Sequence, residues 1–463
     1  MQFKLTPNYL ELLRDAIHVS DHKFIAQQLK DLHPPDIAEI LNELDLEEAK
    51  YLYTLLDEEE AGKILVEMED DKREKFLASL TSKEIAEHID NLDSDDAADV
   101  IAELPDEVQD EVLSHMEDSE QASDIVDLMN YDENSAGGLM ATELVCVHVE
   151  GTVRSCVREL RKQAEEVKHI YTIYVVDGNN KLLGLLSLKN LLTTSLSAKV
   201  RDVYNPDIIS VKTNTAAEEV SKIMEKYDLV VLPVIDSLGK LVGRITIDDI
   251  VDVIREEETE DVQKMGGMEA LDEPYMSISL YGMLKKRLGW LVVLFIGESL
   301  TATAMSFFEN QIEKAVVLAL FVPLIISSGG NTGSQVSTLI IRALSLGEIT
   351  IQEWWAILRR ELKIGLALGI MLGIIGFLRV AIWSAFVNTY GPHWMMVGAC
   401  VGTSLIGVVL WGNIIGSLFP ILLKKLGLDP AVSSAPFVAT MVDVTGLIIY
   451  FTVASIMLRG ILL

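Results

Sequence analysis

DPAVSSAPFVATMVDVTGLIIYF, residues 429–451, opens on Asp429 and Pro430 and then runs apolar or small to Phe451, broken by a single acid, Asp443. Crossing a bilayer takes roughly 20 residues of helix, and this run is long enough. A carboxylate at membrane depth is costly unless it faces a partner or water. Asp443 therefore marks either an aqueous path or a protonated structural group. Counted from residue 430 it lies about 13 residues in, which at 1.5 Å per residue is about 20 Å, near the midplane.

Working outward, runs near 288–308, 315–341, 364–387 and 394–422 are similarly long and nearly free of charge, and with 430–458 they make five expected spans. The second carries SSGGNTGSQ, residues 327–335, four residues after Pro323. Gly329, Gly330 and Gly333 permit close helix approach or local unwinding. Polar or non-helical backbone at that depth needs protein or a water-filled cavity beside it. Ser328, Gly329, Gly330 and Asn331 are thus candidates for lining a path; dry packing of small residues is the competing reading. Glu298, in the first span, fits a pathway acid and a packing or counter-ion role equally.

Basic residues set the orientation. Lys285, Lys286 and Arg287 precede the first span; Arg342, Arg359, Arg360 and Lys363 lie between the second and third; Lys424 and Lys425 lie between the fourth and fifth. The intervening loops hold only Lys314 and, in NTYGPHW (388–394), no Lys or Arg. The rich side is cytoplasmic, so the N-terminus is expected inside and Leu463 outside. The opening residues MQFKLTPNYLELLRDAI are amphipathic and lack the apolar core of a signal peptide. Cys146, Cys156 and Cys400 show no paired or metal-type spacing and read as reduced thiols.

Charge divides the 463-residue chain sharply. Residues 271–463 hold 12 Lys and Arg against 10 Asp and Glu, so the first 270 hold 26 against 60, a net charge of −34. Such a surface excludes nucleic acid as a natural partner and favours cations. No phosphate loop of Walker type and no nucleophile–base pair stands out, which argues against an enzyme.

Within the acidic part, Leu32, Leu44, Leu56, Met68, Leu80, Leu92, Leu104 and Met116 recur every 12 residues. Blocks such as Ile37, Ile40, Leu41, Leu44 place apolar residues on one helical face. Each block predicts a short capped helix, and such units must stack to bury their faces. Further on, YVVDGNNKLLGLLSLKNLL (174–192) aligns with PVIDSLGKLVGRITIDDIV (233–251) at an offset of 59. Each copy reads as strand, turn, strand, helix. The pair resembles tandem cystathionine-β-synthase (CBS) modules, many of which bind adenine nucleotides; an ATP-binding cleft and an empty one both fit. An acidic segment (250–274) then runs toward the first span and reads as a link between the two halves.

The order of parts, with YDENSAGGLM (131–140), PLIISSGGNTGSQ (323–335) and the opening string of 429–451, is similar to the MgtE family of bacterial magnesium transporters. The expected organisation is a helical-repeat domain at 1–130, CBS modules at 131–200 and 201–254, a connecting helix at 255–284, and an all-α membrane domain of five helices at 285–463. The fold class is thus a multidomain membrane protein with an α-superhelical domain and an α/β CBS pair. The resemblance implies a homodimer in the bacterial plasma membrane, its central pore lined by the second and fifth spans, with Asp443 binding hydrated Mg²⁺. It further implies closure by cytoplasmic Mg²⁺ held on acids of the helical domain, CBS pair and connecting helix. Matching strings assign these as Asp95, Asp99, Asp228, Asp249, Asp252, Glu257, Glu260, Asp261 and Asp429.

Mg²⁺ is small, oxygen-seeking and slow to lose water, and commonly takes one or two carboxylates. With no His or Cys beside Asp443 in sequence, the site favours it over Co²⁺ or Zn²⁺. A transporter of those ions, or a membrane-anchored metal or nucleotide sensor that carries nothing, are the alternatives.

Overall fold

The computed structural model describes residues 3–163, 167, 170–271, 275–387 and 390–460. Residues 272–274 of the expected connecting segment and 388–389 of the loop after the third span lie outside it. Residues 1–257 and 258–463 form two compact units, and each is taken by itself.

The first unit begins with helices α1 (Pro7–His18), α2 (His22–Leu29), α3 (Pro34–Glu43), α4 (Leu46–Tyr53), α5 (Glu58–Val66), α6 (Asp70–Leu77), α7 (Ser82–Ile89), α8 (Ser94–Ala102), α9 (Asp106–His115) and α10 (Ser119–Leu128). From α3 to α9 each helix starts 12 residues after the one before it. The repeated Leu or Met sits just beyond each helix end, and caps reset the chain for the next. Thr81 Oγ1 accepts from Glu84 N at 3.3 Å while the Glu84 carboxylate accepts from Thr81 N at 2.8 Å, a reciprocal capping box. Alternate helices pack together, α3 on α5, α5 on α7, α7 on α9, and α8 on α10. Ile37, Ile40, Leu41, Ile64, Ile85, Ala97 and Ile101 are buried in the core that results.

Two similar sheets follow. In the first, β1 (Cys146–His148) leads through α11 (Val153–Gln163) to β2 (Ile173–Val176), β3 (Leu182–Leu186) and α12 (Leu188–Thr193). In the second, β4 (Val211–Lys212) leads through α13 (Ala217–Lys226) to β5 (Val231–Ile235), β6 (Leu241–Thr246) and α14 (Ile247–Met265). Each sheet pairs its first strand parallel to the second and its second antiparallel to the third. The offset of 59 reappears physically: Lys181 bridges Lys240, and the equivalent turn residues Asn180 and Gly239 take φ of 61° and 83°. The two hairpins therefore meet about a pseudo-twofold axis.

Two boundaries differ from the expected ones. Residues 131–141, assigned above to the first module, bond to the second: Ala136 N donates to Thr215 O at 2.7 Å and Ala141 N to Arg244 O at 2.8 Å. The small residues of SAGGLM let this strand lie against the β6 edge, where Met140 fills the space above Gly243. The connecting helix does not begin at 255. It is the latter part of α14, which starts at Ile247 inside the second module and stops at Met265, where Gly267 turns the backbone to φ 77°.

The second unit holds α15 (Leu280–Phe307), α16 (Glu309–Lys314), α17 (Val322–Ser345), α18 (Trp354–Phe386), α19 (Trp394–Lys425) and α20 (Ala435–Met457). All but α16 belong to the five segments long and apolar enough to cross a membrane. SSGGNTGSQ does not unwind; α17 runs through it as one helix. Its glycines instead bring backbones together. A Cβ on Gly412 of α19 would lie 2.6 Å from Gly329 O of α17, and Gly416 of α19 meets Gly333 one turn on. This is small-residue packing of membrane helices. Gly412→Val is expected to cost about 1–3 kcal/mol through overpacking, read as a lower unfolding midpoint in detergent; an unchanged midpoint would contradict the close approach.

Candidate cation path and acidic regulatory face

In the second unit, hydrogen bonds fix the start of α20 on α17. Ser334 Oγ donates to Ala435 O at 2.8 Å and Ser337 Oγ to Ser433 O at 3.0 Å, the latter bond buried. Trp290 Nε1 of α15 donates to Ser434 Oγ at 3.0 Å, and Trp411 Nε1 of α19 donates to Thr445 Oγ1 at 2.8 Å. With α20 held this way, Asp443 is half-buried and faces Gly330: a Cβ there would lie 3.2 Å from Asp443 Oδ1. Gly297 of α15, next to Glu298, packs on Thr440, one turn earlier.

The four residues proposed to line a path divide. Gly330 borders Asp443. Gly329 is buried against Val408 and Val442 and serves helix packing. Asn331 is exposed and donates to Ser327 Oγ at 3.3 Å, while Ser328 Oγ donates to its own helix at Leu324 O. The depth of Asp443 also changes. Asp429 accepts from Ala431 N to start a short 3-10 turn, and α20 begins only at Ala435. Asp443 thus lies about 12 Å along its helix rather than about 20 Å.

The last turns of α14 lie on the ends of α17 and the turn before α20. Arg342 pairs with Glu258 at 3.2 Å, Ser345 Oγ donates to Asp261 Oδ2 at 2.9 Å, and Lys264 Nζ meets Asp429 Oδ2 at 2.8 Å. Lys264 also pairs with Glu260.

In the first unit, α8 brings Asp95 and Asp99 toward Asp249 on the first turn of α14. Asp249 Oδ2 accepts from Thr246 Oγ1 at 2.7 Å. The dock is built by Ser94, whose N and Oγ donate to the Glu143 carboxylate at 2.9 and 3.2 Å, and by Asp93, paired at 3.2 Å with the buried Arg244. Enclosure and the Asp249 charge push the Asp95 carboxyl well above the usual carboxylate range. Burial raises Asp249 to about 6. Asp99 is also pushed to about 6, chiefly by desolvation and then by Asp249 against the opposing pull of Arg73; its side chain nonetheless reaches solvent, which weakens the effect. Along the same face Glu67 is raised by partial desolvation and by Asp252, and Glu256 by partial desolvation, Asp252 and Asp70; both side chains are exposed, so solvent screens the effect.

Asp252 lies on this ridge and pairs with Arg255 at 3.3 Å. Glu257 is half-buried on α14. Asp228 does not join the ridge: it is exposed in the turn after α13, with φ of 50°. Glu67, Asp70, Glu143 and Glu256 were not expected. Glu256 was within reach, since 249, 252 and 256 share one helical face; the others follow only from the docking of α8. Among the described residues no three His, Cys, Asp or Glu side chains close around one metal-sized point.

Five helices long and apolar enough to cross a membrane, a paired α/β module and a stack of short helices define a multi-pass membrane protein with a large, separately folded first half. Family models match in the same order: the MgtE intracellular N domain at 32–134, CBS domains at 136–197 and 200–256, and a divalent cation transporter module at 322–453. The chain is 39% identical over 339 residues to the magnesium transporter MgtE of Thermus thermophilus, covering 73% of each, and 34% identical over 345 residues to that of Enterococcus faecalis, covering 74% of this chain and 73% of the relative. A solved cytosolic domain of the Mg²⁺ channel MgtE in complex with ATP aligns with 53% of this chain and 99% of its own, at 33% identity and a TM-score of 0.50. The chain belongs to the MgtE family of magnesium transporters, a family of transporters rather than enzymes.

Proposed function

We propose that the chain is a homodimer in the plasma membrane, N-terminus inside, that passes hydrated Mg²⁺ inward past a pair of Asp443 carboxylates. The observation that carries this reading is Asp443, half-buried on α20 against Gly330 of α17, inside the segment matched by the divalent cation transporter module. Its donors are oxygen, with no His or Cys adjacent in sequence, which favours Mg²⁺ over Co²⁺ or Zn²⁺. Inward flow needs no ATP: the membrane potential supplies about 2.3 kcal/mol per charge per 100 mV, twice that for a divalent ion. Basic flanks at Lys285–Arg287, Arg359, Arg360, Lys424 and Lys425 support the orientation.

Closure follows from the ridge where Asp95 and Asp99 confront Asp249, and where Glu67 and Asp70 lie near Asp252 and Glu256. Empty, these carboxylates repel; cytoplasmic Mg²⁺ would draw them together. The equilibrium shifts only as far as the closed state binds the ion better. Glu257, Glu260, Asp261 and Asp429 continue the acidic line to the end of the helix. Because α14 is continuous from Ile247 to Met265, ordering its first turns orders its last. ATP is the natural nucleotide for the CBS pair, in keeping with the solved relative that contains it.

Uptake tests the reading. Liposomes holding the full chain should take up Mg²⁺ under an inside-negative potential, and millimolar luminal Mg²⁺ on the face of the regulatory half should suppress it. No uptake would overturn transport; uptake indifferent to luminal Mg²⁺ would overturn closure.

A further inference from the structure

Two acids assigned to regulatory Mg²⁺, Glu260 and Asp429, already share a cation. Lys264 lies between them, its ammonium 2.8 Å from Asp429 Oδ2 and paired with Glu260 one turn back on the same helix. The lysine side chain is 29% exposed. The Asp429 carboxylate is fixed from the other side as well, since Oδ1 caps the turn leading into α20. Arg342 to Glu258 and Ser345 to Asp261 fasten the same two turns of α14. The first two attachments run to the last turn of α17 and the third to the turn before α20, the two helices that meet at Asp443 and Gly330.

We propose that Lys264 is a built-in cation that takes the place of a divalent ion between Glu260 and Asp429, latching the end of α14 over the mouth of the path without Mg²⁺. The inference rests on the transport reading above and adds a residue to it. The latch sets how far closure must be driven by ions elsewhere. It stabilises the closed arrangement at every Mg²⁺ concentration, so that ions bound on the α8–α14 ridge need supply only the remainder. Removing the ammonium leaves two carboxylates facing each other, and like charges at that spacing oppose closure.

The test is Mg²⁺ flux through the full chain in liposomes against luminal Mg²⁺, for wild type, Lys264→Gln, Lys264→Arg and the double variant Lys264→Gln/Asp429→Asn. Lys264→Gln should show higher flux than wild type in chelator and need about three- to tenfold more luminal Mg²⁺ for half-closure, the span expected of a partly exposed ion pair with good geometry. Lys264→Arg, keeping the charge, should stay near wild type. The double variant, which removes the repulsion, should recover part of the shift. A Lys264→Gln curve that superimposes on wild type overturns the latch. So does a shift to lower Mg²⁺, which would make the lysine a competitor of the ion. If wild type conducts but ignores luminal Mg²⁺, the closure reading fails separately, while the chelator fluxes still report on Lys264.

Discussion

Asp443→Asn is expected to lower Mg²⁺ flux on the order of a hundredfold, the scale of losing a desolvated charge from an ion site. Asparagine keeps the size of the side chain, so the contact with Gly330 and the bonds that hold α20 through Ser334, Ser337 and Trp290 survive. What disappears is the negative charge that offsets part of the ion's hydration as it leaves bulk water. The variant should unfold at the wild-type midpoint in detergent and should still show Mg²⁺-dependent protection of residues 1–257. Flux close to wild type would place the ion's route elsewhere. Flux lost together with the folded state would mean that Asp443 is structural.

Without divalent ions, the first unit is expected to resist protease about tenfold better at pH 5 than at pH 7.5, and Mg²⁺ should remove most of that difference. The sign comes from Asp95, Asp99 and Asp249. All three have carboxyls raised above the ordinary value of 3.8, to about 6 for Asp99 and Asp249. Between about pH 4 and 6 the folded unit therefore binds more protons than the unfolded chain. Its stability falls as pH rises through that window. Asp95 and Asp249 carry most of the effect, Asp99 less because it reaches solvent. Mg²⁺ replaces the lost protons, so it should protect strongly at pH 7.5 and little at pH 5. Protection that rises with pH in chelator would contradict the raised carboxyls.

Much of this architecture is written in periodicity. The 12-residue interval reappears as helix starts, the offset of 59 as a bridge between Lys181 and Lys240, and the five apolar runs as five long helices. Asp443 stood out because a lone acid in an apolar helix has few physical excuses. What the sequence hid depends on contacts distant along the chain. SAGGLM joins the second sheet because its small residues fit beside β6, which no local pattern signals. Gly329 and Gly330 are adjacent and alike in sequence, yet 100° of helix rotation sends one against Val408 and the other toward Asp443. Nothing in the local sequence singles out Lys264. Only the approach of Asp429, far along the chain, gives it a partner beyond Glu260 on its own helix.

Transport as proposed here requires an aspartate pair in the membrane to meet an ion still carrying its water. The most direct measurement is a high-resolution cryo-electron microscopy map of the dimer in nanodiscs with Mg²⁺. Density is expected on the twofold axis, one water layer from both Asp443 carboxylates and open to bulk on at least one side. Asp443 turned to lipid, or sealed in a dry contact with no ion on the axis, would contradict it.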